Sequence, residues 1–184
     1  MNVLALDSSG LPRAWLNFED AICYHAKEQV LWSLGETVAT FRGGFKADGS
    51  QSILVTQSII AVKGSVKLEK FGKVVLTNRT LFARDRHVCA YCGDTFKSSD
   101  LSRDHVLPRF RGGQDVWTNV VTSCKKCNMK KGSKLLENTR MELLYVPYEP
   151  NHYENLILQN RNILADQMDY LLTGVPKHSR LRLM

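Results

Sequence analysis

The chain has 184 residues, of which 43% are hydrophobic and 23% charged, with 25 Lys and Arg against 18 Asp and Glu and a formal net charge of +7. That composition excludes a chain too polar to bury a core and bounds the protein to one or two small domains. Met1 to Asp7 carry no basic leader, and the longest mostly apolar stretch, Ile53 to Val62, is interrupted by Thr56, Gln57 and Ser58. The expectation is a cytoplasmic protein with neither a secretory leader nor a membrane span.

In chain order, residues 1–78 come first. Strand-like runs occupy Val3 to Leu6, Glu36 to Phe41 and Ile53 to Val62, and a short helix follows Asn17, its candidate cap, with Asp20 three residues on. A small N-terminal α+β element is expected, nearly neutral with 8 basic and 7 acidic side chains. Cys23 reads as a buried thiol on the helix, behaving as a small hydrophobe.

Residues 79–135 differ in kind. From Arg79 to Lys134 there are 12 Lys and Arg against 5 Asp, so the whole net charge sits in this one segment. A local basic field of this sort displaces counterions from nucleic acid; a solvated face that merely aids solubility is the plainer alternative. The same segment carries Cys89 and Cys92 as one C-x-x-C and Cys124 and Cys127 as another. Without a secretory leader, two such pairs read as four thiolates for one structural Zn²⁺. A redox pair would need only one C-x-x-C near a βαβ pattern, and iron would fit the same sulfur cage. The 31 residues between the pairs exceed ordinary ribbon spacing and mark an insert.

That insert holds the chemistry. Asp104 and His105 are adjacent, a metal ligand beside a general base, and Asn128 directly follows the fourth cysteine with an amide oxygen suited to a hard cation. A helix from Lys125 to Gly132 would put Asn128 and Lys131 on one face, so that Lys131 could touch the phosphate the metal binds, and would turn Cys127 about 100° away. Neighbours on a regular strand point to opposite faces, so Asp104 and His105 are expected where a strand begins or distorts. Taken singly, His105 is an ordinary hydrogen-bonded histidine, Asp104 a surface charge and Asn119 a turn former. Arg84, Arg86, Arg103, Arg109 and Arg111 form a group of candidate phosphate contacts, and Trp117 is expected to anchor the core. His25, His87, His152 and His178 lack such company and are expected to be structural or exposed.

In residues 136–184, Asn151 and Glu154 form a capping box ahead of Leu156, Ile157, Ile163, Leu164, Met168, Leu171 and Leu172, with Gly174 and Pro176 to stop the helix. One amphipathic C-terminal helix is expected to cover a core, a homodimer contact being the alternative.

The segment from about Leu81 to Lys134 resembles an HNH endonuclease domain of the ββα-metal (His-Me finger) class with an added four-cysteine zinc site, in the pattern C-x-x-C, D-H-x-x-P, G-G, W-x-N, C-x-x-C-N, K. Phe41 to Gly44 and Leu143 to Pro150 are also similar to stretches of stand-alone bacterial HNH proteins. The resemblance implies an α+β fold in which a ββα-metal core, stapled by zinc, carries the small N-terminal element and the C-terminal helix. It assigns His105 as the first letter of HNH and the general base, Asn119 as the middle letter and loop brace, and Asn128 at the place of the last His, an HNN variant. Asp104 and Asn128 would then hold a catalytic Mg²⁺ or Mn²⁺, and Lys131, Arg103, Arg109 and Arg111 would face nucleic acid, in the first instance double-stranded DNA. The implied products end in 5′-phosphate and 3′-hydroxyl. Two other readings stay open: a zinc-stapled nucleic-acid-binding module without catalysis, and a metal-dependent scaffold with no nucleic-acid partner.

Overall fold

A computed structural model of the chain describes residues 2–64, 74–177 and 179–183, so His178 lies outside the described residues. In order, the elements are β1 (Val3–Leu6), β2 (Pro12–Leu16), α1 (Phe18–Ala26), β3 (Val30–Phe45), β4 (Gln51–Val62), α2 (Asn78–Arg84), β5 (Leu101–His105), β6 (Val120–Cys124), α3 (Lys125–Lys131), α4 (His152–Gln159) and α5 (Ala165–Leu172). The mixed α+β class expected from the sequence is what forms. No described helix is long and apolar enough to cross a membrane.

The chain gathers into two compact units, Met1–Lys73 with Gln159–Gly174, and Val74–Leu158 with Val175–Met184. Composition divides the chain into consecutive pieces at 78/79 and 135/136; contacts put the first boundary at 73/74 and share the C-terminal residues between both units.

In the first unit the sheet order is β2-β1-β4-β3. β1 pairs antiparallel with β2 and parallel with β4, while β3 and β4 form a long antiparallel hairpin. All four residues of β1 are buried, as befits a central strand covered on both faces. Val3, Ala5, Ile60 and Val62 pack with Leu16 and with Ala21 of α1, and Phe18 and Tyr24 close over them. Asn17 caps α1 as expected, its Oδ1 accepting from Asp20 N at 2.7 Å. β3 is far longer than the run Glu36 to Phe41 suggests. Two of its four register shifts, between Leu34 and Thr37 and between Arg42 and Phe45, contain Gly35, Gly43 and Gly44, so the strand bulges at these glycines without ending there.

The second unit is built on the antiparallel pair β5–β6, in unbroken register from Leu101↔Cys124 to His105↔Val120, followed at once by α3. Val74, Leu81, Phe82, Leu101, Trp117 and Val120 form its core, and Trp117 anchors there as expected, its Nε1 donating to Val74 O at 3.2 Å. Thr77 caps α2, which Thr80 completes as a capping box.

The single C-terminal helix is corrected to two. α4 begins with the predicted box, Asn151 N donating to Glu154 Oε2 at 2.7 Å and Glu154 N to Asn151 Oδ1 at 2.9 Å. It ends at Gln159, because Asn160 Oδ1 takes the backbone N–H of Asn162 and Gln167 Oε1 takes that of Leu164. Side chains thus supply partners that a continuous helix would have needed from its own carbonyls. α5 belongs to the first unit, where Gln167 Nε2 donates to Asn2 O at 2.9 Å and Ser58 O at 2.8 Å.

Candidate functional site

The four cysteines of the second unit converge. A tight turn follows Cys89, with Gly93 N donating to Cys89 O at 3.0 Å and Gly93 at φ +79, and Cys124 caps α3 by accepting from Cys127 N at 3.4 Å. The four sulfurs lie within 4.8 Å of one another, the scale of a tetrahedral thiolate cage whose edges are about 3.8 Å for Zn–S bonds near 2.3 Å. Burial acts to raise the Cys89 thiol, but backbone amides, those of Cys124, Cys92 and Tyr91, outweigh it and bring the group down to about 7. Burial and the neighbouring Cys89 push Cys92 up to about 11, and burial with Cys124 and Cys89 pushes Cys127 higher still. The Cys89 thiolate forms readily, and those of Cys92 and Cys127 are opposed by burial and by neighbouring sulfurs. A divalent cation removes that opposition, so the donor set fits zinc. Ala90 N donates to Thr122 O at 2.8 Å, which fastens the first knuckle to β6.

Beside this cage, the last two residues of β5 face opposite ways. The strand does not distort; the pair stands at its C-terminal end, and regular alternation separates the side chains. Asp104 is 5% exposed, its Oδ1 held by Lys131 Nζ at 3.0 Å and its Oδ2 by the Tyr91 hydroxyl from within the first knuckle. Burial and then Asp104 itself raise the Tyr91 phenol well above its ordinary value, so it stays a neutral donor. Lys131 is 1% exposed and also donates to His105 O at 2.7 Å, so its ammonium braces the end of β5. Asn128 donates through Nδ2 to Ser102 Oγ at 2.8 Å and to Arg103 O at 3.4 Å, bonds that do not use its Oδ1. Helix α3 therefore presents Asn128 and Lys131 together to β5, as the three-residue spacing predicts.

His105 projects the other way, its Nε2 lying 3.0 Å from Asp115 Oδ1. Asp115 also binds Arg103 Nη1 at 2.5 Å, and Arg103 reaches Asn78 Oδ1 at 3.1 Å, so this cation is already engaged. Asn119 binds the loop between β5 and β6 three times: its Oδ1 accepts from Leu107 N at 2.9 Å, and its Nδ2 donates to Leu107 O at 3.1 Å and Gln114 O at 2.8 Å. Arg109 and Arg111 lie exposed on a 3-10 turn of that loop, with Arg111 stacked over the exposed Phe110 ring.

Two expectations about side chains are overturned: Cys23, expected to be buried, is exposed, and Arg84 does not face phosphate. Arg84 is fully buried between the Trp117 and Tyr148 rings, donating to both Asp85 oxygens and to Trp117 O, Tyr148 O and Val120 O. No phosphate reaches it. Tyr91 and Asp115 escape the motif reading because their partners are distant in sequence; the only local sign of Asp115 is a carboxylate following Gly112 and Gly113 in a basic segment.

Residues 89–144 match the protein-family model described as HNH endonuclease. A stretch of 46 residues, 24% of this chain, is 39% identical to part of the CRISPR-associated endonuclease Cas9 of Corynebacterium diphtheriae. The matched stretch spans 4% of that relative's length. The segment that matches the HNH endonuclease model lies within the second unit and contains the β5–β6–α3 framework and the four clustered cysteines.

Proposed function

We propose that the protein is a metal-dependent endonuclease that hydrolyses phosphodiester bonds of double-stranded DNA, with His105 as general base. The observation that carries this reading is the end of β5, inside the matched segment and beside the cysteine cage, where α3 sets Asn128 against Ser102 and Lys131 against Asp104 on one side of the strand while His105 projects from the other. Asp104 and Asn128 supply one carboxylate and one amide oxygen, a sparse hard donor set of the kind that suits Mg²⁺ or Mn²⁺, which keep waters and take further oxygens from substrate phosphate. Such an ion supplies Lewis acidity at the phosphoryl group and at the leaving 3′ oxygen.

The protein's own groups do the rest. His105, as neutral imidazole, takes a proton from the attacking water as the water oxygen bonds to phosphorus. The bond from phosphorus to the 3′ oxygen breaks, that oxygen gains a proton from solvent, and the ends are 5′-phosphate and 3′-hydroxyl. Lys131 and Tyr91 hold Asp104 in place, Asn119 holds the loop, and Arg109 and Arg111 offer exposed cations to the backbone. Structural zinc in the cysteine cage keeps the two ends of the insert together.

A second reading, a zinc-stapled nucleic-acid-binding module without catalysis, draws on one observation: both Asp104 oxygens already have protein partners. Supercoiled plasmid incubated with Mg²⁺ or Mn²⁺ separates the two. Wild type should nick and His105→Ala should lose at least ~100-fold in rate, the lower end of what a general base contributes. Equal nicking by both proteins, or by neither, sinks the catalytic assignment.

A further inference from the structure

We infer that Asp115 is a positioning residue that orients the His105 ring and keeps its proton on Nε2, leaving Nδ1 as the basic atom. The inference rests on the reading of His105 as general base and deepens it.

Arg103 and His105 are two apart on β5 and so share a side of the strand. A single carboxylate bridges them, Oδ2 to Arg103 Nη1 at 2.5 Å and Oδ1 to His105 Nε2 at 3.0 Å. Arg103 is itself anchored on Asn78 Oδ1 at 3.1 Å, in the first turn of α2, and on Leu76 O at 3.4 Å. A run of bonds therefore leads from the start of α2 through Arg103 and Asp115 to the imidazole. The other end of Asp115 is fixed by its backbone: Gln114, the residue before it, gives its carbonyl to Asn119 Nδ2 at 2.8 Å. Asn119 thus places the residue that orients His105, which gives the middle letter of the motif a physical task.

The chemistry follows from the donor inventory. Arg103 holds the Asp115 carboxyl below its ordinary value, so it is an acceptor with no proton to give. A neutral imidazole facing such an oxygen carries its hydrogen on that nitrogen and its lone pair on the other. Asp115 is 41% exposed on its side chain, so as a mere surface ion pair it would contribute little to stability and nothing to chemistry. The two interpretations predict different measurements.

The test uses the full chain with ¹⁵N-labelled histidine, comparing wild type with Asp115→Asn and Asp115→Glu. Long-range ¹⁵N–¹H couplings report which ring nitrogen carries the proton at a pH where His105 is neutral. Single-turnover cleavage of a DNA duplex in Mg²⁺ reports rate, and the duplex Kd and Tm report binding and folding. The expected result is an Nε2-protonated ring in wild type and loss of that preference in Asp115→Asn. The cleavage rate of Asp115→Asn should fall on the order of 100-fold, with Kd and Tm little changed, and Asp115→Glu should recover part of the loss. A ring signal and rate in Asp115→Asn equal to wild type overturn the inference while the nuclease reading stands. An Asp115-dependent ring signal in a wild-type protein that does not cleave overturns the positioning role and the nuclease reading together, leaving only a structural ion pair.

Discussion

Arg84 shows how much a single position in this chain depends on its neighbours. Its guanidinium is fully buried, and Asp85 and three backbone carbonyls satisfy it while two aromatic rings flank it. Arg84→Met leaves Asp85 a buried carboxylate without the cation that pairs with it, although the N–H of Thr122 still donates to it, and breaking a buried pair in this way costs about 3–5 kcal/mol. The expected outcome in differential scanning calorimetry is a lowered transition for the second unit. Asp7 offers a milder test in the first unit. Burial acts to raise its carboxyl, but bonds from Ser9, Arg13 and Leu11 outweigh that and hold it at about 2, against an ordinary 3.8. A depressed folded value means that its contribution is complete above the ordinary range and fades as pH falls through about 2. Between pH 5 and 1.5 the wild type should therefore lose more stability than Asp7→Asn, and parallel Tm profiles for the two proteins would show that Asp7 contributes nothing.

At the scale of elements, the loop between β5 and β6 works as one piece with the strands it joins. Gly113 is needed there for space: a Cβ added to it would lie 1.8 Å from Leu107 O and 3.0 Å from Asn119 Nδ2, and a backbone carbonyl cannot turn aside as a flexible side chain does. Gly113→Ala should displace the loop, weaken the Asn119 bonds and move Asp115. Plasmid nicking is expected to drop by at least ~10-fold while the transition of the first unit keeps its Tm, since no element of that unit is touched. Helix α3 has a similar dual task. Its N-terminus belongs to the cysteine cage through Cys124 and Cys127, and one turn further on Asn128 and Lys131 bind β5. A seven-residue helix is too short to be stable alone, so packing and metal must set its position.

For the whole molecule, the division into two units predicts how it comes apart. Structural zinc in small finger domains contributes an apparent ~10–16 kcal/mol, comparable with the entire stability of a domain at about 5–15 kcal/mol. Chelation, or Cys124→Ser, should unfold the second unit and leave the four-stranded sheet of the first, giving loss of one transition by calorimetry and retained β signal by circular dichroism. A Cys124→Ser protein that keeps one equivalent of zinc and both transitions would refute the cage. The net charge takes on a different meaning as well. Four thiolates around a Zn²⁺ would leave about −2 at the cage, and the exposed cations of the segment, Arg109 and Arg111 on the loop and Lys125, Lys126 and Lys130 on α3, would stand against that charge.

Much of this was readable without coordinates, and the reason is locality. The C-x-x-C pairs, the Asp104–His105 dipeptide, the Asn17 cap and the Asn151–Glu154 box each place their partners within a few residues, so spacing alone carries them. β1 and most of β4 were legible for the same reason, as strand-like apolar runs. What depended on tertiary structure were contacts between distant positions and the competition they settle. The strand-like run reads as Glu36 to Phe41, yet pairing along β4 carries β3 from Val30 to Phe45, through Gly35, Gly43 and Gly44. The apolar pattern from Leu156 to Leu172 reads as one helix, yet Asn160 and Gln167 break it by taking backbone groups. Arg84 reads as one more surface cation, and only the approach of Trp117 and Tyr148 makes it a core residue. Tyr91 and Asp115 carry no motif at all, because a hydrogen bond to Asp104 or His105 across 13 or 10 residues depends on how the chain returns to itself. Local chemistry names the residues that could react; folding decides which others hold them.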